Sequence, residues 1–575
     1  MSHPDAGPLR RVCEVRRRGR SLVAEPFFEV GSPITLGRPG ALRAGEGDLV
    51  VVESTGRGRA RVTEVLGRPD SVADVLHGLA VEAGEGGPWP DAVDRELRSL
   101  GDGPLPGDGT RRDLRDQRCF TIDPPEAKDF DDALALQRED DGVRMFVHIA
   151  DVSAFVAAGS ATDHEAALRS TSVYLPGRVE PMLPEALSAD LCSLQPDVDR
   201  RVITVEVAPD GSAAFYRSLI RSKHRLSYPQ VERLLAGGGD VPAELRADLS
   251  TLREVTARLR AERFARGAAA ISSRELELRL DAGGVRSATM VGEAEAHALV
   301  EEQMLVANRR VAEVLAAARA AALHRVHEHP EPESIVRLAQ RLAALEVPTP
   351  AVPEQFSSQE AAVLAAEVAV SVERTVAATG RGRDAFPSLV LRSLKRARYD
   401  SRSLGHSGLA VPAYCHFTSP IRRYPDLICH RALLSRIEDG VPVPVDTLDA
   451  LAEHCSLRER EAAALERRGD DVALAFLLDQ QLFELGWQHS FDGEIVGLAE
   501  GGLFVRFGEV FEGLLPARFL GGEWFDRDEL EVALVGRSSG HRYRLGDPIG
   551  VSVRSIDRPR GRVLLEPGAR SSQRS

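Results

Sequence analysis

Four aspartates crowd into the segment TIDPPEAKDFDDALAL. Asp123, Asp129, Asp131 and Asp132 lie within ten residues, three of them within four positions. Anions packed this tightly raise one another's pKa and cost stability unless positive charge meets them, and Lys128 is the single cation inside the segment. A divalent ion answers that need. A donor set made only of oxygens, with no His or Cys nearby, selects hard ions, Mg²⁺ or Mn²⁺ over zinc. Four carboxylates are enough for two such ions about 3.5–4 Å apart, the arrangement that activates water and stabilises the leaving oxygen in phosphodiester hydrolysis. A solvated acidic loop is the plainer alternative. An EF-hand is disfavoured because the glycine at its sixth loop position is missing.

A second segment, GHSGLAVPAYCHFTSPIRRYPDLICHRAL at 405–433, places His406, His416, Arg422, Arg423, Tyr424, Asp426, His430 and Arg431 among apolar positions. Arg422 and Arg423 offer forked donors suited to phosphate, and they follow a Ser-Pro that breaks or starts a helix. Read alone, the segment is equally a structural ion-pair network. Read together, the two segments resemble the RNB-type family of ribonuclease II and ribonuclease R, the bacterial 3′-to-5′ exoribonucleases, and the resemblance runs from about residue 113 to 568.

The resemblance implies residue roles. Its aspartate motif matches at Asp123, Asp129, Asp131 and Asp132, the expected metal ligands, and its HFTSPIRRYPDL motif matches at 416–427. Asp131, Arg422 and Glu466 are the implied catalytic residues, with Arg422 at the scissile phosphate and Glu466 of ALERRGDDVA in the channel. For RNA the resemblance implies Tyr174, stacking near the terminal nucleotide, Tyr228 and Glu301, sensing the ribose 2′-hydroxyl, and Arg422 and Arg423. The C-terminal strands add Phe504 and Phe507 as stacking candidates beside Phe491, with Arg506, Arg554 and Arg558 as phosphate contacts. Three departures stand out. Ile271 replaces a family aromatic that would complete a clamp around the last bases, Ser407 replaces another, and RRRGRSLVAEPFF lacks an aromatic-rich glycine motif. The activity implied is Mg²⁺-dependent, processive hydrolysis of single-stranded RNA to nucleoside 5′-monophosphates, with Mn²⁺ as a substitute. A non-catalytic RNA-binding or chaperone protein using its terminal barrels is the competing class, opposed by the four retained aspartates. An endonuclease or DNA nuclease of similar chemistry is a third.

The elements that must position these residues form an α+β catalytic body flanked by small β-barrels. Short β runs separated by Gly and Pro give a cold-shock-like OB barrel at 1–70, and Gly/Pro clusters make 71–112 a linker. Strand-like runs and then helical periodicity over 228–265, 293–322, 333–345, 358–379, 386–398 and 446–486 fill a catalytic domain at 113–487. Five short strands at 488–567 have the rhythm of an S1-type OB-fold, and 568–575 is a polar tail. The chain has 575 residues, 43% of them hydrophobic and 28% charged. That is ordinary for a globular protein and enough for about four structural units. No apolar run approaches the roughly 18 residues that cross a bilayer, no secretory leader is evident, and six scattered cysteines form no CxxC pair. The expectation is a cytoplasmic monomer with no membrane contact and no obligate protein partner. The net charge of −14 argues against a surface coated with nucleic acid, so RNA must be met locally, by arginines lining a channel. Lysine occurs only as Lys128, Lys223 and Lys395. With one weak barrel and a short tail, little is available for strand separation, which predicts ribonuclease II-like stalling at duplexes.

Overall fold

The segment Gly142–Ala150 is buried along its last six residues, the pattern of a strand covered on both faces. It lies at the middle of a seven-stranded sheet. The spatial order is His224–Ser227, Phe120–Asp123, Asp132–Glu139, Gly142–Ala150, Asp199–Val207, Ala213–Arg221, Arg112–Asp113. Neighbours are antiparallel except at the two edges, where the outermost strands join in parallel. The computed structural model describes residues 10–569 apart from 20, 37–41, 43, 57–58, 101–107, 240, 270–273, 282, 293 and 439–442. Ile271 therefore lies outside the described residues.

Helices Tyr228–Leu235, Ala243–Ala265 and Glu295–Ala317 pack against the sheet. The first begins at a reciprocal cap between Ser227 and Gln230, which satisfies backbone donors otherwise left unpaired. Together with helix Tyr424–Ile437 they enclose one apolar core. A second core starts in the N-terminal barrel at Val12 and Leu49, passes Leu76 and Leu79, follows Leu465 and Leu478 along helix Leu448–Leu485, and ends at Leu503, Val551 and Leu565 in the C-terminal barrel. That helix has 38 residues, a rod of about 57 Å at 1.5 Å per residue. Both barrels are thereby fastened to one rod.

The stretch 71–112 is not a plain linker. It carries helices Val72–Glu82 and Asp91–Ser99. Ser71 caps the first by accepting from the Asp74 N–H, and Val72, Val75, Leu76 and Leu79 bury its inner face; this periodicity is hidden beside the Gly/Pro-rich residues that follow. The N-terminal strands Arg10–Arg18, Ser21–Pro26, Ile34–Leu36, Leu49–Gly56 and Arg59–Gly67 close into the expected barrel.

At the other end, Ser490–Ala499, Gly502–Phe507, Phe511–Pro516, Pro548–Asp557 and Arg562–Pro567 close a second barrel. The expected five strands are joined by an inserted three-stranded sheet, Phe525–Arg527, Ala533–Gly536 and Arg542–Arg544. Side chains of a strand alternate between faces, so Leu503, Val505 and Phe507 point into the barrel while Phe504 is 40% exposed. Phe507 is 1% exposed, its ring 5.2 Å from that of Phe491 and 5.7 Å from that of Phe511. It is core, and the expectation that it stacks on RNA is corrected. Phe507→Ala should destabilise the barrel by about 3–5 kcal/mol, whereas Phe504→Ala should stay within about 0.5 kcal/mol of the parent. Denaturant unfolding of the full chain measures both.

Candidate active site

The aspartate motif folds as the turn between two antiparallel strands. Asp123 ends Phe120–Asp123, and Asp132 opens Asp132–Glu139. The turn is pinned from beneath by fully buried Ser193, whose hydroxyl donates to the Lys128 carbonyl (2.6 Å) and accepts from the Phe130 N–H (3.1 Å). Arg225 adds donors to the carbonyls of Pro125 (2.5 Å) and Ala127 (3.3 Å). The turn uses the Lys128 backbone, while the Lys128 side chain is exposed. Neither Ser193 nor Arg225 carries a sequence signal, because their partners are backbone atoms more than sixty residues away.

The second motif meets the turn directly. Asp131, 4% exposed, accepts the Ile421 N–H at 2.9 Å on Oδ1, and Arg422 Nε stands 3.5 Å from its Oδ2. The Arg422 carbonyl accepts from the Ser172 N–H (3.0 Å) and the Thr171 hydroxyl (3.2 Å), which brings in the short strand Val173–Leu175. Tyr174 on that strand donates its hydroxyl to Asp129 Oδ2 at 2.9 Å, and its backbone N–H donates to Glu466 Oε1 at 2.9 Å. Five of the expected residues, Asp129, Asp131, Tyr174, Arg422 and Glu466, thus form one connected network. Glu466 enters it as the holder of Tyr174. One turn along the same helix, Gly469 makes the approach possible: a Cβ there would stand 2.6 Å from Leu175 Cδ2.

Arg423 is committed inward. It donates to Asp426 Oδ1 at 2.8 Å, and the same oxygen, on a fully buried carboxylate, accepts the Ser419 N–H at 2.8 Å. That pair staples the Ser-Pro turn onto the start of helix Tyr424–Ile437, where Pro425 occupies the first turn. The 2′-hydroxyl candidates fall on facing elements. Tyr228 opens helix Tyr228–Leu235 and stacks on His297 with ring centres 3.8 Å apart and planes 14° apart, and Glu301 is exposed one turn beyond His297 on its helix. Among the arginines of the C-terminal barrel, Arg506 holds Glu512 (3.0 Å), Arg554 holds Glu566 (3.0 Å) and Arg558 holds Asp479 (3.1 Å) on the long helix.

The electrostatics are those of anions held away from water. Burial, then the neighbouring Asp132 and Asp129 charges, push Asp123 up to about 8. Burial pushes Asp132 up to about 6 against the pull of Arg422. Asp131 is raised well above the usual carboxylate range by burial, with Arg422 and the Ile421 N–H opposing. Among the described residues no three His, Cys, Asp or Glu side chains converge into a closed metal cage, so the fit of a metal rests on the chemistry of the donors. They are all oxygens, they are short of compensating charge, and Asp123 Oδ2 is buried with no hydrogen-bond partner. A hard divalent cation fits that description.

The RNB domain family matches residues 111–439, and the S1 RNA binding domain matches residues 488–566. The chain belongs to the RNB family. It is 33% identical to ribonuclease R of Aquifex aeolicus over 593 residues, covering 97% of this chain and 82% of that protein. It is 35% identical to ribonuclease R of Escherichia coli over 495 residues, covering 82% of this chain and spanning 59% of that relative's length. Mycoplasma genitalium RNase R, solved with ribose-methylated single-stranded RNA, shares the fold at a TM-score of 0.86 and 24% identity, over 99% of this chain and 93% of that one. These relatives bear the name ribonuclease R, the other half of the pair from that whose duplex behaviour the sequence led us to expect. The RNB match spans all four aspartates and Arg422, and no helix among the described residues is long and apolar enough to cross a membrane.

The raised Asp123 pKa carries a sign. A carboxyl that holds its proton more tightly folded than unfolded favours the folded state at low pH, and that contribution is lost as pH rises from about 4 toward about 8. Asp123→Asn should therefore raise the melting temperature of the metal-stripped protein strongly at pH 8 and change it much less at pH 4. Thermal scans at the two pH values decide.

Proposed function

We propose that this protein is a hydrolytic exoribonuclease that degrades single-stranded RNA processively from the 3′ end and releases nucleoside 5′-monophosphates. The observation that carries the reading is the junction of the two motifs. Asp131 is bonded to the Ile421 N–H and faced by Arg422, with Asp123, Asp129 and Asp132 on the same turn. Clustered oxygen donors and a forked cation are the groups that metal-assisted phosphodiester hydrolysis uses. Asp123, Asp129, Asp131 and Asp132 would hold Mg²⁺, or Mn²⁺ in its place. When bound, the ion supplies the positive charge that lets water attack phosphorus near neutral pH.

The chain's own residues do the rest. The Arg422 side chain, 48% exposed beside buried Asp131, presents preorganised donors to the charge that grows on the phosphate oxygens. Tyr174, 37% exposed and fixed at both its hydroxyl and its backbone, offers a face on which any base stacks, which suits sequence-independent degradation. Tyr228 and Glu301 are assigned to the ribose 2′-hydroxyl, the group that separates RNA from DNA. Phe504 on the C-terminal barrel is assigned to the incoming strand. The protein is proposed to work as a cytoplasmic monomer.

With 5′-labelled substrates, single-stranded RNA should shorten progressively to a small limit product while DNA of the same sequence persists. Internal cuts, or equal digestion of DNA, contradict the reading. Asp131→Asn should nearly abolish hydrolysis yet retain RNA binding, since Asn keeps the Oδ1 acceptor for Ile421 and affinity comes from contacts spread along the strand. Wild-type turnover by this variant at saturating Mg²⁺ removes Asp131 from the metal site. A duplex with a short 3′ overhang should stall the enzyme before the paired region, and digestion through a stable GC duplex without a helicase would show strand separation built into this chain.

A further inference from the structure

Outside the aspartate site, three arginines outnumber two carboxylates, Glu262 and Glu302, in a small pocket where two packed helices face the 405–411 loop. Helix Ala243–Ala265 brings Arg263 and, at its C-terminal cap, Arg266. Helix Glu295–Ala317 sets Arg309 beside them, and Leu409 and Tyr414 line the opposite wall of a small pocket. Arg263 is already paired: its Nε donates to Glu302 at 3.0 Å, and Glu302 is 2% exposed.

Arg309 is not satisfied in this way. Its side chain is 19% exposed, yet the carboxylate oxygen of Glu313 stands 3.7 Å away, and the other oxygen of Glu313 is taken by Arg310 at 2.8 Å. Arg309 Nε is buried with no hydrogen-bond partner. Arg266 is exposed and makes no ion pair among the described residues. Burial and the charge of Arg310, with Arg266 adding to them against Glu313 and Glu262, hold the Arg309 guanidinium below its usual basicity. A cation at a helix C-terminus is favoured by the helix dipole, which accounts for Arg266. Arg309 lies more than two turns before the end of its own helix, so the dipole does not account for it.

We propose that this pocket is a second anion site, in which Arg309 and Arg266 take a phosphate group carried either by an RNA strand or by a free mononucleotide. Two guanidinium forks match phosphate oxygens in number and direction. The pocket is also tied to the catalytic turn. Asn308, next to Arg309, donates to the Tyr414 hydroxyl (3.0 Å) and accepts the Phe417 N–H (2.9 Å), at the start of the segment that ends on Asp131. The identity of the polyanion as RNA rests on the exoribonuclease reading; the pocket's affinity for phosphate does not.

The test uses the full chain carrying Asp131→Asn, so that RNA is not consumed, with and without Arg266→Gln and Arg309→Gln. If RNA is the source, affinity for a single-stranded oligonucleotide falls and the slope of log affinity against log salt shrinks by about 0.7 for each lost phosphate contact. If a mononucleotide is the source, calorimetric affinity for a nucleoside 5′-monophosphate drops while the RNA slope holds. Either result supports the site. Arg309→Lys, which keeps charge and loses the fork, should fall between parent and Gln. Unchanged RNA slope and unchanged nucleotide affinity in variants that melt like the parent overturn it, as does an equal effect from the control Arg246→Gln on the same helix. Failure of the parent to bind RNA at all counts against the exoribonuclease reading, and the nucleotide titration then judges the pocket alone.

Discussion

The structure turns on carboxylates crowded into a recess that excludes most of the water that would solvate them. Asp123, Asp131 and Asp132 resist ionisation there, and Arg422 stands 3.5 Å from Asp131. Charge held away from water costs free energy unless it is paired, so this corner is unstable by itself and needs something positive from outside. The surrounding architecture can be read as what it takes to hold the carboxylates in place regardless. Ser193 and Arg225 grip the turn through its backbone, the Ser-Pro turn presents the Ile421 N–H, and Asp426 with Arg423 holds that turn against the following helix.

The same logic extends outward. Glu466 fixes the backbone of Tyr174, and Tyr174 fixes Asp129, so the long helix bearing Glu466 is mechanically coupled to the aspartate turn. That helix also carries the second apolar core, which runs without a break from one barrel to the other. An RNA strand on the C-terminal barrel would therefore be held at a fixed position relative to the aspartate turn. Such rigidity is suited to threading a polymer, because each step must return the next phosphate to the same donors. The net charge of the chain, −14, requires that any cations meeting a polyanion be local.

Much of this was legible in the sequence because chemistry concentrates polar residues at short spacings. The aspartate turn and the 405–433 segment each announce themselves within a few tens of residues, and the helices of the catalytic body follow from apolar periodicity. What stayed hidden depends on contacts between distant positions. Glu466 reaches Tyr174 across 292 residues, and nothing in ALERRGDDVA says that its partner is a backbone N–H. Ser193 and Asn308 look like ordinary polar residues until their buried partners are known. The helix Val72–Glu82 and the burial of Phe507 are a different case, since both follow from periodicity; composition outweighed it in the first, and aromatic identity outweighed strand alternation in the second.

The central claim, that the recess holds protons which a cation must displace, is tested most directly by counting protons. Mn²⁺ titrated calorimetrically into metal-free protein, in buffers of different ionisation enthalpy, reports how many protons leave on binding. With Asp123 near 8, Asp132 near 6 and Asp131 raised well above the usual carboxylate range, the account predicts a net release of at least about one proton at pH 7 that diminishes as pH rises. Binding with no proton release at any pH between 6 and 9 would show that the aspartates are already ionised without the metal, and would contradict it.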